Sequence, residues 1–337
     1  MKVGYVYDPI YLKHDTGGHV ENAKRLEAII SHLEETGLKQ QLTPIEPRAA
    51  SIEELSLVHR KEYISHIQDA AQRGGGWLDA DTVMSAESYQ AAIYAAGGLI
   101  RATEAVMDGE VGSAFALVRP PGHHATPRRA MGFCLFNNIA IATKYALTKY
   151  KLERIAIIDF DVHHGNGTQD IFYDRKDVMY QSIHLSPHYP GTGSVNEIGI
   201  GEGVGYTINA PFPYGCGNTM ASRVLDEIFL PVANQFKPDI VIMSCGYDSH
   251  HADPLGGLRL TTDFYGEIIK KYQQIQPRIA CTLEGGYNLN WIGKCLITQL
   301  GQMTDTNIMI NDYADEKKDE GTIIKKIKNK IKEYWEL

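Results

Sequence analysis

The stretch IAIIDFDVHHGNGTQD, residues 155–170, decides the fold that we predict for this chain. Its first part is a continuous run of apolar residues, which is typical of a strand buried on both faces of a sheet. Its second part places two aspartates, two histidines and a glycine-rich turn directly after that strand. In open parallel sheets, ligands bind beyond the carboxyl ends of the strands. The same stretch therefore predicts a functional site.

Similar apolar segments recur along the chain and alternate with segments of helical character. Strands are predicted at residues 2–7, 113–118, 154–160, 178–184, 239–245 and 278–283, and helices at 20–35, 61–72, 86–107, 137–150, 219–235 and 262–275. This alternation predicts an α/β fold in which helices cover a mostly parallel sheet. No repeat of fixed period occurs, so one domain over residues 1–310 is the simplest interpretation. A polar linker and a basic amphipathic helix are expected over residues 311–337.

The composition narrows the class of protein. With 337 residues, 43% hydrophobic residues and a net charge of −8, the chain is typical of globular proteins and lacks the basic field that nucleic acid requires. Its five cysteines include no CxxC pair, which argues against a disulfide framework and a thiolate zinc site. The start of the chain has no signal segment, and no run of 18 apolar residues occurs. We therefore expect a cytoplasmic protein that binds neither nucleic acid nor membrane.

Polar and titratable groups follow five of the predicted strands. In chain order they are the pair His123 and His124, the group Asp159, Asp161 and His163, the pair Ser182 and His184, then Asp248, and finally the turn from Glu284 to Tyr287. The carboxyl ends of parallel strands meet at one edge of the sheet, so these groups are expected to converge there.

Asp161, His163 and Asp248 form a candidate metal site. Side chains two residues apart on an extended segment point the same way, so Asp161 and His163 can face one ion. Three ligands of this type with an open position describe a catalytic zinc site, and ferrous iron accepts the same ligands. The alternative is that Asp161 and His163 belong to a turn or helix cap and that Asp248 is structural.

His123, His124 and Tyr287 are candidates for the remaining chemistry. Adjacent imidazoles in different surroundings can hold different protonation states, so one of them can act as a base toward water. Tyr287 follows two glycines and can offer its phenol to a developing oxyanion. The alternatives are a surface turn for the histidine pair and a tyrosine packed in the core.

Six segments together resemble the histone deacetylase superfamily, which includes acetylpolyamine amidohydrolases. They are RPPGHHA (119–125), GFCLFNN (132–138), DFDVHHGNGTQ (159–169), PGTGS (190–194), SCGYDSHHADPLGG (244–257) and LEGGYN (283–288). The resemblance covers residues 1 to about 300 in the family's order and is nearer to its class II branch. It implies an arginase-like, three-layer α/β fold with a mostly parallel sheet of eight strands. The implied activity is zinc-dependent hydrolysis of an acetylated amine.

The resemblance also implies residue roles. His124 resembles the general base and acid, with Asn166 as its partner, and His123 resembles a second histidine bonded to Asp159. Tyr287 resembles the tyrosine that polarises the substrate carbonyl. The implied zinc ligands are Asp161, His163 and Asp248. The family's potassium site is implied at Asp159, Asp161, His163, Ser182 and the carbonyl of Ile183.

A narrow tunnel for the acylated side chain is implied as well. Phe133 and Tyr189 resemble its two aromatic walls, and Gly132 and Gly286 are assigned to its lining. Asp81 resembles an acidic residue at the rim that holds the substrate. Aromatic walls suit the aliphatic stem of an amine whose charge acetylation has removed.

Several alternatives stay open at this point. The substrate is expected to be N-ε-acetyl-lysine, with acetylpolyamines as the alternative, and a homo-oligomer is possible. A two-metal ureohydrolase of the same fold would require extra carboxylates near Gly165 and His250. A non-catalytic binder of acylated lysine is a further alternative.

Two other segments invite interpretation. The glycines of GIGEGVG, residues 199–205, precede the strand-like YTINAPF, which argues against a dinucleotide-binding turn. In residues 322–337, Ile323, Ile327 and Ile331 recur at helical spacing among lysines. We favour packing of this helix on its own protein or a sister subunit over binding to an anionic surface.

Overall fold

The computed structural model describes residues 2–317 and 321–337, and its centre is one sheet of eight parallel strands. The strands run in the spatial order β2-β1-β5-β10-β9-β6-β7-β8. They are β1 (Val3–Val6), β2 (Leu42–Ile45), β5 (Ser113–Ala116), β6 (Ile155–Asp159), β7 (Val178–Leu185), β8 (Thr207–Phe212), β9 (Ile240–Cys245) and β10 (Ile279–Leu283). A separate antiparallel pair joins β3 (Gly75–Trp77) and β4 (Val83–Ser85).

The six predicted strands are all confirmed, and the two edge strands complete the sheet. Every residue of β5, β6, β7, β9 and β10 is buried, which explains their continuous apolar sequences. Strand β8 lies in the segment that already resembled a strand. Strand β2 was not predicted because it has only four residues and includes Pro44, which is tolerated at a sheet edge.

Eleven α-helical segments lie among the described residues. They are α1 (Lys24–Glu35), α2 (Ile52–Leu55), α3 (Lys61–Gln72), α4 (Ser88–Met107), α5 (Asn138–Tyr150), α6 (Asn166–Phe172), α7 (Asn218–Val224), α8 (Leu230–Phe236), α9 (Thr262–Ile275), α10 (Ile292–Thr304) and α11 (Thr322–Ile331). A π-helical turn, Leu225–Phe229, joins α7 to α8, and short 3₁₀ helices cover Pro9–Lys13, Leu38–Gln41 and Gly201–Gly203. None of the described helices combines the length and apolar character needed to cross a bilayer.

The helices flank the sheet, which gives the predicted three-layer α/β architecture. Helix α4 packs against α5, whereas α1 and α9 both pack against α10. Helix α10 was not predicted, because its two glycines weaken the helical signal. They serve close packing: a Cβ on Gly293 would stand 2.6 Å from the His32 ring, and one on Gly301 would stand 2.6 Å from Ile308.

Five neighbouring strands carry the predicted site residues at their carboxyl ends. In the sheet these strands are β5, β10, β9, β6 and β7, with no other strand among them. The register pairs Asp159 of β6 with Ser182 of β7 on one side and with Ser244 of β9 on the other. The expected convergence at one sheet edge therefore follows directly from the strand order.

The C-terminal segment packs on the same body. Helix α11 lies against the edge strand β8, with Ile324, Ile327 and Ile331 buried. The Trp335 indole donates a hydrogen bond to the carbonyl of Gly205 at 2.7 Å. The structure therefore confirms the favoured interpretation that this helix packs on its own protein.

The predicted end of the compact body near residue 310 needs correction. The carboxylate of Asp312 is 1% exposed and accepts hydrogen bonds from His250, His251 and the backbone N–H of Thr262. Residues 311–317 therefore lie on the body, although their polar sequence suggested a linker. Residues 318–320 of that stretch are outside the described residues.

Truncating the buried face of α11 should destabilise the protein. We expect Ile327→Ala to lower the free energy of unfolding by about 2–4 kcal/mol, because it removes buried apolar contacts at the edge of the sheet. Lys326→Ala, on the exposed side of the same helix, should change it by less than about 0.5 kcal/mol. Urea denaturation of the two variants measures both values, and equal effects would contradict the packing role.

Candidate functional site

Asp161, His163 and Asp248 meet beyond the ends of β6 and β9. The Nδ1 atom of His163 lies 3.0 Å from Oδ1 of Asp161 and 3.2 Å from Oδ2 of Asp248. One ligand atom from each residue lies within 4.8 Å of the other two. Both carboxylates are fully buried, so the three candidate metal ligands share one small enclosed volume.

The residues around this volume fit a divalent cation. Oδ2 of Asp248 is buried and makes no hydrogen bond, whereas its Oδ1 accepts the backbone N–H of Val162 at 2.9 Å. A buried carboxylate oxygen without a donor is costly unless a cation satisfies it. Gly246 and Gly285 leave the necessary space, because a Cβ on either would stand 2.0 Å from a carboxylate oxygen of Asp161 or Asp248.

The local charges also favour a cation. Burial together with the charge of Asp161 raises the pKa of Asp248 to about 7. Burial alone would lower the pKa of His163, but the adjacent carboxylates of Asp161 and Asp248 outweigh it and raise that pKa to about 10. The two carboxylates thus hold a positive charge between them, and a metal ion can replace the proton there.

His123 and His124 lie beside this cluster, with ring centroids 4.0 Å apart. Nδ1 of His123 lies 3.1 Å from Oδ2 of Asp159, and Nδ1 of His124 lies 2.8 Å from Oδ1 of Asn166. Since an amide oxygen only accepts, His124 donates from Nδ1 and keeps Nε2 free to accept a proton.

The environments of the two histidines push their pKa values apart. Burial would lower the pKa of His123, but Asp159, Asp161 and Glu284 outweigh it and raise that pKa to about 10. Burial and the neighbouring His123 lower the pKa of His124 well below its usual range. A cationic imidazole therefore lies next to a neutral one, an arrangement that separates an electrostatic role from a base role.

A cavity of about 170 Å³ leads to these groups. It is lined by Asp81, Pro121, His123, His124, Gly132, Phe133, His163, Tyr189, Gly285 and Tyr287. The Phe133 ring meets the Tyr287 ring edge to face at 5.8 Å, and Tyr189 meets His124 in the same way at 5.2 Å. A Cβ on Gly132 would stand 2.3 Å from the His124 ring, so only glycine fits there.

Gly286 requires a correction among the residues assigned to the lining. Its neighbour Gly285 lines the cavity, whereas the carbonyl of Gly286 accepts a hydrogen bond from Nε of Arg25 at 2.6 Å. The guanidinium of Arg25 also lies 4.9 Å from the centroid of the Tyr287 ring. Burial raises the pKa of the Tyr287 phenol well above its usual range, so the phenol keeps its proton and can donate it in a hydrogen bond.

Glu284 holds the turn that carries His123 and His124 by hydrogen bonds to its backbone, a role that was not predicted from the sequence. Its Oε2 accepts the backbone N–H groups of Gly122 and His123 at 2.7 and 3.1 Å, and its Oε1 accepts the Ser244 hydroxyl. The sequence places Glu284 at a strand end, but the amides that it accepts come from a different strand end. His188, also missed, stacks on His163 at 4.9 Å.

Three of the residues assigned to potassium, Asp159, Ser182 and Ile183, lie in the neighbouring strands β6 and β7. Oδ1 of Asp159 accepts the backbone N–H of Asp161 at 3.2 Å, and its Oδ2 accepts the hydroxyl of Tyr180 at 3.0 Å. Ser182 pairs with Asp159 in the β6–β7 register, and Ile183 is the next residue of β7. A potassium ion at this position stays a prediction.

A second cluster of potential ligands joins His250, His251 and Asp312. The Nδ1 atom of His250 accepts the backbone N–H of Ala252 at 3.2 Å. The proton of this imidazole is therefore on Nε2, which donates to Asp312 at 3.0 Å. This cluster fastens the C-terminal segment by hydrogen bonds and offers no free nitrogen from His250 to a metal.

Comparison with known proteins decides the family. Residues 19–303 match the family described as "Histone deacetylase domain". The chain belongs to the histone deacetylase family. As a member of this family it is a deacetylase, which disfavours the ureohydrolase and the non-catalytic alternatives.

Individual deacetylases resemble the chain over most of its length. A "Probable deacetylase" from Archaeoglobus fulgidus is 41% identical over 309 residues, which cover 89% of this chain and 85% of that protein. "Histone deacetylase 10, chloroplastic" from Oryza sativa subsp. japonica is 39% identical, over 82% of this chain and 67% of that protein. The crystal structure of the HDA15 HD domain superposes with a TM-score of 0.92 at 33% identity, covering 99% of this chain and 95% of that chain.

Proposed function

We propose that this deacetylase is zinc-dependent and removes the acetyl group from N-ε-acetyl-lysine in proteins or peptides. The observation that carries the proposal is the lining of the cavity. The same cavity is lined by the aromatic rings of Phe133 and Tyr189 and by His124, Tyr287 and the candidate metal ligand His163. A neutral acetylated side chain suits such walls, because its aliphatic stem gains from apolar contact and carries no charge to desolvate.

Asp161, His163 and Asp248 would hold the metal. The set of one imidazole and two carboxylates suits zinc and also ferrous iron. When bound, the ion supplies Lewis acidity toward the amide carbonyl and lowers the pKa of water. The buried oxygen of Asp248 that has no hydrogen bond supports this assignment.

His124 would move the proton in both halves of the reaction. Its neutral imidazole accepts the proton of the attacking water at Nε2, while Asn166 holds Nδ1 and so fixes the ring. The hydroxide oxygen then bonds to the acetyl carbon. When the C–N bond breaks, the same Nε2 returns the proton to the leaving amine, so acetate and a free amine are released.

Tyr287 would stabilise the negative charge that develops on the acetyl oxygen. Its phenol keeps its proton at neutral pH, because burial raises the pKa of the group. Tyr287 lines the cavity together with His123, His124 and His163. A donor fixed in a buried site strengthens as charge forms on the oxygen that it faces.

An acetylpolyamine is the second candidate substrate, and one feature of the rim favours it. Asp81 lines the cavity beside Asp79, and burial together with Asp79 raises the pKa of Asp81. Two carboxylates side by side attract a cation, and an acetylpolyamine carries further ammonium groups beyond its acetylated end. Arg129, whose guanidinium lies 3.5 Å from Asp79, already offsets part of this charge.

A substrate panel tests the proposal. For the zinc-loaded protein we expect kcat/KM on acetyl-lysine peptides to exceed that on acetylputrescine and acetylspermidine by at least about tenfold, or 1.4 kcal/mol. A preference for the polyamines would replace the substrate class but keep the chemistry. Absence of hydrolysis with every substrate, in protein that contains one zinc per chain, would contradict the chemistry itself.

A further inference from the structure

The backbone that carries Tyr287 is irregular. Strand β10 ends at Leu283, and no regular element begins again before α10 at Ile292. Gly286, directly before the tyrosine, has a φ of +114°, which side chains rarely adopt. Neither helical nor β-sheet hydrogen bonds therefore hold the backbone of Tyr287 in place. Other contacts must set the position of its side chain in the cavity.

Asp253 supplies the main contact. Its Oδ2 accepts the backbone N–H of Tyr287 at 2.6 Å and that of Asn288 at 3.0 Å, and its Oδ1 accepts the N–H of Leu255 at 3.0 Å. Bonds from N–H donors to a carboxylate are among the stronger hydrogen bonds in proteins. We propose that Asp253 is a positioning residue that sets the place of the Tyr287 phenol, an inference that rests on the proposed role of Tyr287.

The same contact ties the tyrosine to the metal site. Asp253 follows the candidate ligand Asp248 by five residues in one loop. Two further bonds join this loop to the tyrosine turn: the Tyr247 N–H donates to the carbonyl of Gly285 at 3.1 Å, and the Asn288 amide donates to that of Ala252 at 2.7 Å. Asp253 therefore links the turn that carries the phenol to the loop that carries Asp248, and the phenol and the metal held by Asp248 would act on the same carbonyl group.

Removal of this carboxylate leaves two neighbouring amides without an acceptor. The turn can then move toward other acceptors, and displacements of about 1 Å at a catalytic group can cost about 10²-fold in rate. The expected loss falls on kcat, because the aromatic rings of Phe133 and Tyr189, which contribute most to substrate binding, are not part of this turn. This loss in kcat should also depend on the presence of the Tyr287 hydroxyl. A loss caused by general destabilisation would not depend on that hydroxyl.

A double-mutant cycle measures this dependence. We expect Tyr287→Phe to lower kcat by about 10²–10³-fold and Asp253→Ala to lower it by about 10–100-fold with KM nearly unchanged. In the Tyr287→Phe protein, Asp253→Ala should lower kcat by less than about twofold, because the hydroxyl that it positions is already absent. Asp253→Asn keeps one acceptor oxygen and should recover most of the loss.

Asp239 provides a matched control at the opposite end of the sheet. Its Oδ2 also accepts two consecutive backbone N–H groups, those of Glu153 and Arg154, both at 2.9 Å. Asp239→Ala should therefore resemble Asp253→Ala in its effect on thermal stability but leave kcat within about twofold.

The outcomes separate the inference from the function on which it rests. If Tyr287→Phe keeps full turnover, the proposed role of Tyr287 is wrong. If Tyr287→Phe is impaired but Asp253→Ala reduces kcat by the same factor in both backgrounds, Asp253 has no positioning role. Should Asp253→Ala not fold, Asn288→Ala, which removes the amide bond to Ala252 and the acceptor of the Asn290 N–H, must show the same dependence on the tyrosine hydroxyl or the inference is wrong.

Discussion

Asp248→Ala is expected to abolish stoichiometric zinc binding and to lower kcat/KM by about 10³-fold or more. The substitution removes one of three ligands and with it the buried oxygen that has no hydrogen-bond partner. A catalytic metal contributes several kcal/mol to such a reaction, and each 1.36 kcal/mol corresponds to a factor of ten. Metal analysis after dialysis gives the zinc content per chain, independently of any activity measurement.

The zinc prediction has its own control. Asp239→Ala removes a carboxylate at the start of β9, which is remote from the site, whereas Asp248 follows the end of this strand. The Asp239→Ala protein should keep one zinc per chain. Full zinc content in Asp248→Ala would show that this carboxylate is not a ligand. Removal of zinc from the parent protein with a chelator should likewise stop turnover, and added zinc or ferrous iron should restore it.

His124→Ala is expected to lower kcat by about 10²–10⁴-fold without loss of zinc. Positioned acid–base groups contribute rate factors of this size, and His124 serves in both proton transfers. Its pKa, which burial and His123 lower, keeps the imidazole neutral near pH 7 and thus able to accept a proton.

The pair of variants distinguishes the two roles. His124→Ala should keep the zinc content and KM of the parent, whereas Asp248→Ala loses the metal. Turnover within tenfold of the parent in His124→Ala would contradict the base role. His123 could not take over the role of base in this variant, because its pKa is raised to about 10 and its imidazole is already protonated at neutral pH.

The sequence predicts the sheet and the place of the site because both depend on local patterns. Continuous apolar runs mark the buried strands, and the polar groups that follow them must meet where parallel strands end. Asp161, His163 and Asp248 were therefore identifiable from two separate segments. The edge strand β2 and helix α10 escaped this reasoning, because four residues with a proline and a glycine-containing helix carry weak patterns.

The supporting contacts were not predictable in the same way. Glu284 and Asp253 act as acceptors for backbone amides of other strand ends, and no spacing in the sequence reveals which amides come near. Asp312 lies in a polar stretch typical of a linker, yet its carboxylate is buried against two histidines, His250 and His251, from the loop that carries Asp248. Such contacts depend on the tertiary arrangement. The end of the compact body was therefore predicted too early in the chain.

The order of the strands makes the two flanks of the site unequal. Two strands, β1 and β2, separate β5 from one margin of the sheet, but only β8 separates β7 from the other. An unprotected margin frays and can recruit a strand from a neighbouring molecule. Helix α11 covers the narrower flank. By packing on β8, helix α11 therefore opposes local unfolding of this edge strand and stabilises the neighbouring strand β7, whose end belongs to the site.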